Sequence, residues 1–154
     1  MTEFYFNELF YPVLVVGLIF LIPYIFFLLS QYNILKAIQP DNRLMQPFEV
    51  WFQLVPVFGL IWQFVVVGRI ADSIRNEYQS QKDISFLGMG DGELLENINN
   101  RVTYSTGFWY CVMVCCSLIP VLGFITGIGA LALWITYWRQ LIKHKEIIQQ
   151  SNLG

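Results

Sequence analysis

This chain has 154 residues, of which 56% are hydrophobic and only 13% are charged. The charged share is far below the roughly one quarter that is usual in soluble domains. This length leaves room for one small helical bundle and no separate soluble domain. The formal net charge of −2 provides no basic surface for nucleic acid. We therefore predict an all-α integral membrane protein, with residues 1–154 forming a single membrane domain in contact with the lipid bilayer.

The first predicted helix covers residues 8–32 and contains most of the charge-free run from Leu9 to Leu35. About 20 apolar residues cross the hydrocarbon core of a bilayer, so this run suffices for one membrane span. No Lys or Arg precedes the run, and no small-residue cleavage site follows it. The sequence therefore predicts a retained membrane helix rather than a signal peptide.

A second charge-free run, Val50–Gly68, follows a polar connector that contains Pro47. Proline suits the first turn of a helix, so a second helix is predicted over residues 48–78. Residues 54–61 read Leu-Val-Pro-Val-Phe-Gly-Leu-Ile, an octamer that recurs with five identities at residues 118–125. Proline and glycine three residues apart favour a turn. Pro56 and Gly59 are therefore a candidate helix break, which makes this segment either a plain span or a re-entrant hairpin.

The run from Val102 to Trp138 contains no Asp, Glu, Lys or Arg over 37 residues. As one helix it would be about 55 Å long, against about 30 Å for the hydrocarbon core. The second copy of the octamer places Pro120 and Gly123 at its middle. A helical hairpin is therefore predicted, with helices over 102–119 and 122–145, completing a bundle of four membrane segments.

The basic residues constrain the orientation. With four plain spans, seven of the nine lie on the cytoplasmic side, together with the N-terminus; with a re-entrant second segment, all nine lie there and the N-terminus is outside. Both arrangements make residues 79–101 a cytoplasmic loop and place the C-terminus in the cytoplasm. We favour four plain spans, because 19 charge-free residues suffice to cross and a non-helical turn within the membrane must be buried by protein.

One stretch resembles a known family. Pro47-Phe48-Glu49-Val50-Trp51-Phe52-Gln53-Leu54-Val55-Pro56-Val57-Phe58 follows a connector with Arg43 and Met45 and leads into an amphipathic helix. This pattern, over about residues 40–77, resembles a family of small bacterial multi-pass membrane proteins catalogued only as a domain of unknown function. Gly59 and Gln63 depart from it, since the family tends to have Asn and a second Pro there. The resemblance implies a bacterial inner-membrane location and carries over no activity.

Polar residues in and after the second run form the first candidate site. Gln63 lies inside the run, and Arg69 and Asp72 stand three residues apart at its cytoplasmic exit. Polar side chains at membrane depth usually face the bundle and sometimes mark a path. The structural interpretation, which we favour, is an interhelical hydrogen bond from Gln63 and an ion pair between Arg69 and Asp72. The functional interpretation makes these residues the polar mouth of a cavity.

Small residues form the second candidate site. Gly123, Gly127 and Ala130 lie on one side of the last helix, and such a step lets two helix backbones approach closely. The neighbour is either the preceding helix or another subunit.

Other reactive side chains offer no site. Cys111, Cys115 and Cys116 are predicted to be packing residues, and His144 a solvated residue of the tail. We predict no catalytic, metal-binding or cofactor-binding residues and no cofactor.

Three classes of function remain. The first is a non-enzymatic inner-membrane protein that acts by association with a second copy or with another membrane protein. The second is a small channel or transporter that uses the segments broken by Pro and Gly. An intramembrane enzyme is the least favoured class, since no set of acid, base, nucleophile or metal ligands is visible. We expect the interior near Gln63 to be packed by Phe, Trp and Leu, which favours association.

Overall fold

The chain is helical wherever its structure is described. A computed structural model describes residues 2–85, 101, 103–119 and 123–151. Within those ranges we number four α-helices: α1 (Thr2–Ala37), α2 (Phe58–Ser85), α3 (Tyr104–Ser117) and α4 (Gly123–Ser151). Two 3₁₀ helices, Pro40–Asn42 and Pro47–Leu54, connect α1 to α2. The described ranges contain no strand, and the all-α class is confirmed.

Helix α1 is longer than the predicted helix over residues 8–32. Ile34 and Leu35 are fully buried, and packing of these side chains extends the helix past its predicted end at residue 32. Arg43 then ends it, because its guanidinium donates from Nε to the carbonyl of Ile38 (2.7 Å) and from Nη2 to that of Lys36 (3.0 Å). Arginine thus satisfies carbonyls that have no partner at a helix C-terminus.

The second segment is a hairpin, and the single helix predicted over residues 48–78 is wrong. The 3₁₀ helix ends at Leu54, the chain turns through residues 55–57, and α2 then runs antiparallel to it. Trp62 Nε1 donates to the carbonyl of Glu49 across the two arms (2.8 Å), and the Leu44 amide donates to Ser73 Oγ at their base (2.9 Å). We call residues 44–73 the hairpin.

The turn of the hairpin uses Gly59 differently from the prediction. Among the described residues no glycine has a positive φ, whereas Val57 has a φ of 64°. Gly59 is needed for space, because a Cβ there would collide with the backbone carbonyl oxygen of Gln53. The Gly59 amide donates to the Val55 carbonyl at 2.7 Å, and this bond closes the turn that contains Pro56. Pro56 itself has no N–H and cannot donate.

The turn between α3 and α4 lies close to its predicted position. The chain leaves α3 at Ser117, and the Gly123 amide donates to the carbonyl of Ile119 (2.8 Å). A Cβ on Gly123 would lie 2.8 Å from the Ser117 carbonyl oxygen, so the turn requires a glycine there. Pro120, the other residue of the predicted turn, lies outside the described residues.

Two predicted boundaries on the polar side are also wrong. Helix α2 continues to Ser85, so the predicted loop over residues 79–101 begins too early. Helix α4 continues to Ser151, six residues past its predicted end. On α4 the fully buried Leu141 and Ile148 hold the polar extension in helical form.

The core is centred on an aromatic cluster. The ring of Phe27 meets four others edge-on at centroid distances of 5.7–6.4 Å, those of Tyr110, Trp134, Tyr137 and Trp138. Such arrangements contribute about 0.5–1.5 kcal/mol per pair beyond the area they bury. Next to this cluster α3 crosses α2 and α4 at Gly107, where a Cβ would lie 2.6 Å from Val67 Cγ1 and 2.9 Å from Tyr137 Cε2.

One described segment is long and apolar enough by itself to cross a membrane. Gly17–Ala37 of α1 has a mean hydropathy of 1.9, and 29% of its most apolar window is buried.

Candidate functional site

The outward-facing side chains change from apolar to charged along α1, α2 and α4, and between α3 and the residues just before it. Large apolar residues more than half exposed occupy one part of each helix: Phe26 on α1, Ile61 on α2, Trp109 on α3 and Ile135 on α4. The first charged residue met beyond the apolar part is basic and exposed in each case: Lys36, Arg69, Arg101 and Arg139, respectively. The described surface therefore divides into an apolar half and a charged half.

The change occurs at one level of the bundle. Trp138 Nε1 donates to Ser30 Oγ (2.6 Å), which sets α4 beside α1 just before their charged parts. Gly107 contacts Val67 and Tyr137, which sets α3, α2 and α4 side by side at nearly the same height. The change from apolar to charged therefore lies at a similar level on the four helices, and we call this level the plane between the two halves.

A buried pair of glutamines attaches the hairpin to α1 within the apolar half. Gln53 Nε2 donates to Gln31 Oε1 (2.6 Å) and to the Val50 carbonyl (3.2 Å), and Tyr24 donates its hydroxyl to the Gln53 carbonyl (3.4 Å). Gln31 and Gln53 are 1% and 6% exposed. Sequence reasoning missed Gln31, although an amide inside the apolar run from Leu9 to Leu35 was a signal that it needed a partner.

The predicted polar mouth does not exist as a cluster. Asp72 forms a bidentate ion pair with Arg101, at 2.7 Å to Nε and 2.5 Å to Nη2, while Arg69 donates to the carbonyl of Leu44 (3.1 Å). The expected ion pair between Arg69 and Asp72 is therefore wrong. A guanidinium from a neighbouring segment can approach both carboxylate oxygens, which side chains three apart on one helix do less readily.

Gln63 lies apart from both charged residues. It is 4% exposed, and its Nε2 has no hydrogen-bond partner among the described residues. The expected interhelical hydrogen bond from this amide nitrogen is therefore missing there.

A buried carboxylate organises the charged base of the hairpin. Glu77 is fully buried and accepts hydrogen bonds from the Gln39 amide (3.0 Å) and from Asn42 Nδ2 (2.8 Å). These bonds fix the connector between α1 and the hairpin against α2. Both are charge-assisted, which is the condition under which a buried carboxylate is tolerated. The arrangement gives Glu77 a structural role.

His144 is buried, which corrects its assignment to a solvated tail. It is 6% exposed, and its Nδ1 lies 2.7 Å from the hydroxyl of Tyr78 on α2. The predicted helix over residues 122–145 already contains His144, and sequence reasoning missed its burial because the spacing of the apolar residues around it was not used. Tyr137, Leu141, His144 and Ile148 recur at helical spacing and form one buried stripe. Burial, reinforced by the charge of Lys143, lowers the pKa of His144 from 6.5 to about 4.

We predict that this histidine makes stability depend on pH. Because the folded pKa of about 4 lies below the unfolded value of 6.5, a proton favours the unfolded chain. Stability should be insensitive to this group above about pH 6.5 and fall by about 2–3 kcal/mol between pH 6.5 and 4. Equilibrium unfolding across that range measures it. His144→Asn, which keeps an acceptor for Tyr78, should abolish this part of the pH dependence; an unchanged slope would assign it to other groups.

The cysteines carry no cluster of ligands. Cys111 is buried, Cys115 and Cys116 are half-buried, and all three are free. In the parts of the chain that are described, no three His, Cys, Asp or Glu side chains gather in a way that could hold a metal ion.

A cavity of about 460 Å³ lies between α1, α3 and α4, in the apolar half of the molecule. Gly17 and Gly127 open onto it, since a Cβ on either glycine would have no atom within 4 Å. Ala130 also lines it, whereas Gly123 packs against the α3–α4 turn. The three small residues predicted to form one contact face thus have different surroundings, and Gly127 meets open space. The cavity is lined by Gly17, Leu21, Tyr24, Tyr110, Val114, Ser117, Gly127, Ala130, Leu131 and Trp134.

These features define a class: an all-helical protein with a charged half, an apolar half, a short hairpin held between its long helices and a cavity open on its apolar side. No family model, curated protein or solved structure matches the chain. The likeness to a family of small bacterial membrane proteins stays a prediction from sequence.

Proposed function

We propose that this chain is a multi-pass protein of the bacterial inner membrane, with α1, α3 and α4 as spans and the hairpin as a re-entrant segment. The single observation that carries the proposal is the plane at which all four outward faces change from apolar to charged. A surface of exposed Phe, Ile, Leu and Trp on several helices is costly in water and favourable in hydrocarbon. Trp138 near the plane suits the interfacial preference of tryptophan.

The hairpin supports the re-entrant arrangement over four plain spans. Its base carries Arg69 and contacts the connector at Leu44, whereas its turn lies beside Gln53 and Tyr24 in the apolar half. Both ends of the hairpin are therefore on the charged side. This topology puts all nine basic residues on one side, which the positive-inside rule assigns to the cytoplasm together with the C-terminus.

Within the membrane we propose that the protein acts by association and has no enzymatic activity. Three sets of buried polar groups hold the fold together. Glu77 binds the connector, His144 meets Tyr78, and Gln53 binds Gln31. The exposed apolar surface and the cavity between α1, α3 and α4 are the features available for function. Both suit binding within the bilayer to a lipid, a second copy or another membrane protein.

Extraction tests the membrane assignment. The protein, expressed in bacteria, should stay with the membrane fraction in alkaline carbonate, which removes peripheral proteins, and be released by detergent. A reporter that is active only outside the cytoplasm, fused after Gly154, should be silent. Release of the protein by carbonate would overturn the membrane proposal, and an active reporter at Gly154 would overturn the orientation.

A channel or transporter is the second candidate, and one observation favours it. Gln63 places an unpartnered amide donor in the apolar half, on a segment whose helix is broken at Pro56–Gly59. Broken segments hold the binding sites of many transporters. If this candidate holds, protein reconstituted in liposomes carries an ion or solute flux that Gln63→Leu abolishes. If association holds, no flux is seen and Gln63→Leu is nearly silent.

A further inference from the structure

The cavity between α1, α3 and α4 has a definite depth in the molecule. Its residues on α1 run from Tyr24 back to Gly17, which lies about 20 Å from Ser30 along the helix axis at 1.5 Å per residue. Ser30 marks the plane where the surface becomes charged. The cavity therefore extends away from the basic residues, and under the proposed membrane placement it opens sideways into hydrocarbon.

The lining excludes a charged occupant. None of the ten lining residues is charged, and most are aliphatic, aromatic or glycine. An ion brought there would lose its hydration without a counter-charge. At about 460 Å³ the cavity falls within the range of about 300–1,000 Å³ typical of small-molecule sites. A partner helix, about 10 Å across, would need a groove along its whole length.

Three hydroxyl groups and one indole N–H provide the polar character of the cavity, and Nε1 of Trp134 is buried without a hydrogen-bond partner among the described residues. Tyr24 donates to the Gln53 carbonyl, and Ser117 donates to the Val114 carbonyl (2.7 Å), so both protons are in use. Tyr110 is 7% exposed and lines the cavity, and its hydroxyl makes no hydrogen bond to the described residues. A buried phenol normally finds a partner. Tyr110 thus offers one donor to whatever fills the cavity.

We propose that the cavity binds an uncharged single-chain lipid group: one long apolar chain that carries a hydroxyl or carbonyl oxygen. The chain lies over Gly17 and Gly127, where the missing side chains leave room, and the oxygen accepts the proton of Tyr110. The inference rests on the proposed membrane placement and makes that proposal specific, since the associated molecule is a lipid. Both a free long-chain alcohol and one ester chain of a phospholipid present this chemistry.

Photocrosslinking tests the site. The full-length protein, in phospholipid nanodiscs, is exposed to a 16-carbon alcohol with a diazirine in its chain, and labelled peptides are identified by mass spectrometry. Label is expected on the helices that line the cavity. Gly127→Leu fills the space and should reduce labelling by about tenfold or more, and Tyr110→Phe, which keeps the ring, by about fivefold. Ala132→Leu, on an outward-facing position of α4, is the matched control and should label as the parent does.

Competition and oligomeric state separate the other outcomes. Excess unlabelled alcohol that abolishes labelling identifies the free single chain, and an equal effect of added phospholipid identifies its ester chain. Equal labelling of Gly127→Leu and the parent overturns the lipid site. A change of mass from dimer to monomer in Gly127→Leu shows that a second copy fills the cavity, which also overturns it. Failure of the membrane proposal itself would appear separately, as release of the parent protein by carbonate.

Discussion

Gly59→Ala should be among the most damaging single substitutions in this protein. The added Cβ would meet the Gln53 carbonyl oxygen, a backbone atom that cannot swing aside, and Gln53 is itself held by Gln31. We expect a loss of about 3 kcal/mol or more, the upper range for overpacked sites, with separation of the two hairpin arms. Unfolding of the purified protein in a denaturing detergent measures the change.

The control for this prediction is Gly68→Ala on the same helix. A Cβ there would lie 3.9 Å from the ring of Tyr104, which is an ordinary contact, and alanine is favoured over glycine in a helix. Gly68→Ala should therefore match or exceed the parent in stability. Equal stability of Gly59→Ala and Gly68→Ala would contradict the close approach of Gly59 to the Gln53 carbonyl in this turn.

Gly107→Ala should destabilise the crossing of α3 with α2 and α4. A Cβ at Gly107 would lie 2.6 Å from Val67 and 2.9 Å from Tyr137, two buried side chains with little room to move. We expect a cost of about 2 kcal/mol, and a larger one for Gly107→Leu. Gly127→Ala makes the same chemical change in a helix beside open space and should be neutral or stabilising by up to about 1 kcal/mol. Equal effects at the two glycines would contradict the packing described.

The breaks in the fold could be predicted from local sequence. The uncharged run from Val102 to Trp138 is too long for one span, and glycine and proline at its middle indicated the turn that Gly123 makes. The same chemistry at Pro56 and Gly59 marked the turn of the hairpin. These features depend on neighbours in the chain, and a single sequence contains that information.

The choice between a span and a hairpin could not be made locally. Nineteen charge-free residues are long enough for either, and the outcome depends on bonds between distant residues. Gln53 pairs with Gln31, 22 positions away, and the Leu44 amide with Ser73, 29 positions away. Sequence reasoning weighed the positions of the basic residues, which favour the hairpin, against the length of residues 48–68 and the need to bury a turn within the membrane, and it favours the plain span.

Partners of polar residues were the least predictable part of the candidate site. Closeness in sequence predicts a pair of Asp72 with Arg69, whereas Arg101 approaches Asp72 from a neighbouring segment with two guanidinium nitrogens. The lysines on either side of His144, Lys143 and Lys145, favour a solvated histidine. A helix turns neighbours by 100° from one another, so a histidine between two lysines can still face the core. The helical spacing of the buried residues Tyr137, Leu141 and Ile148 predicts the burial of His144 correctly.

The position of the N-terminus tests the central claim most directly, since it depends on whether the hairpin spans or re-enters. The measurement is the activity of a reporter that works only outside the cytoplasm, fused after Thr2, with the fusion at Gly154 as its partner. The re-entrant arrangement predicts an active reporter at Thr2 and a silent one at Gly154. Silence at both ends, with intact membrane-bound fusion protein, would mean that the second segment crosses the bilayer and would contradict the account.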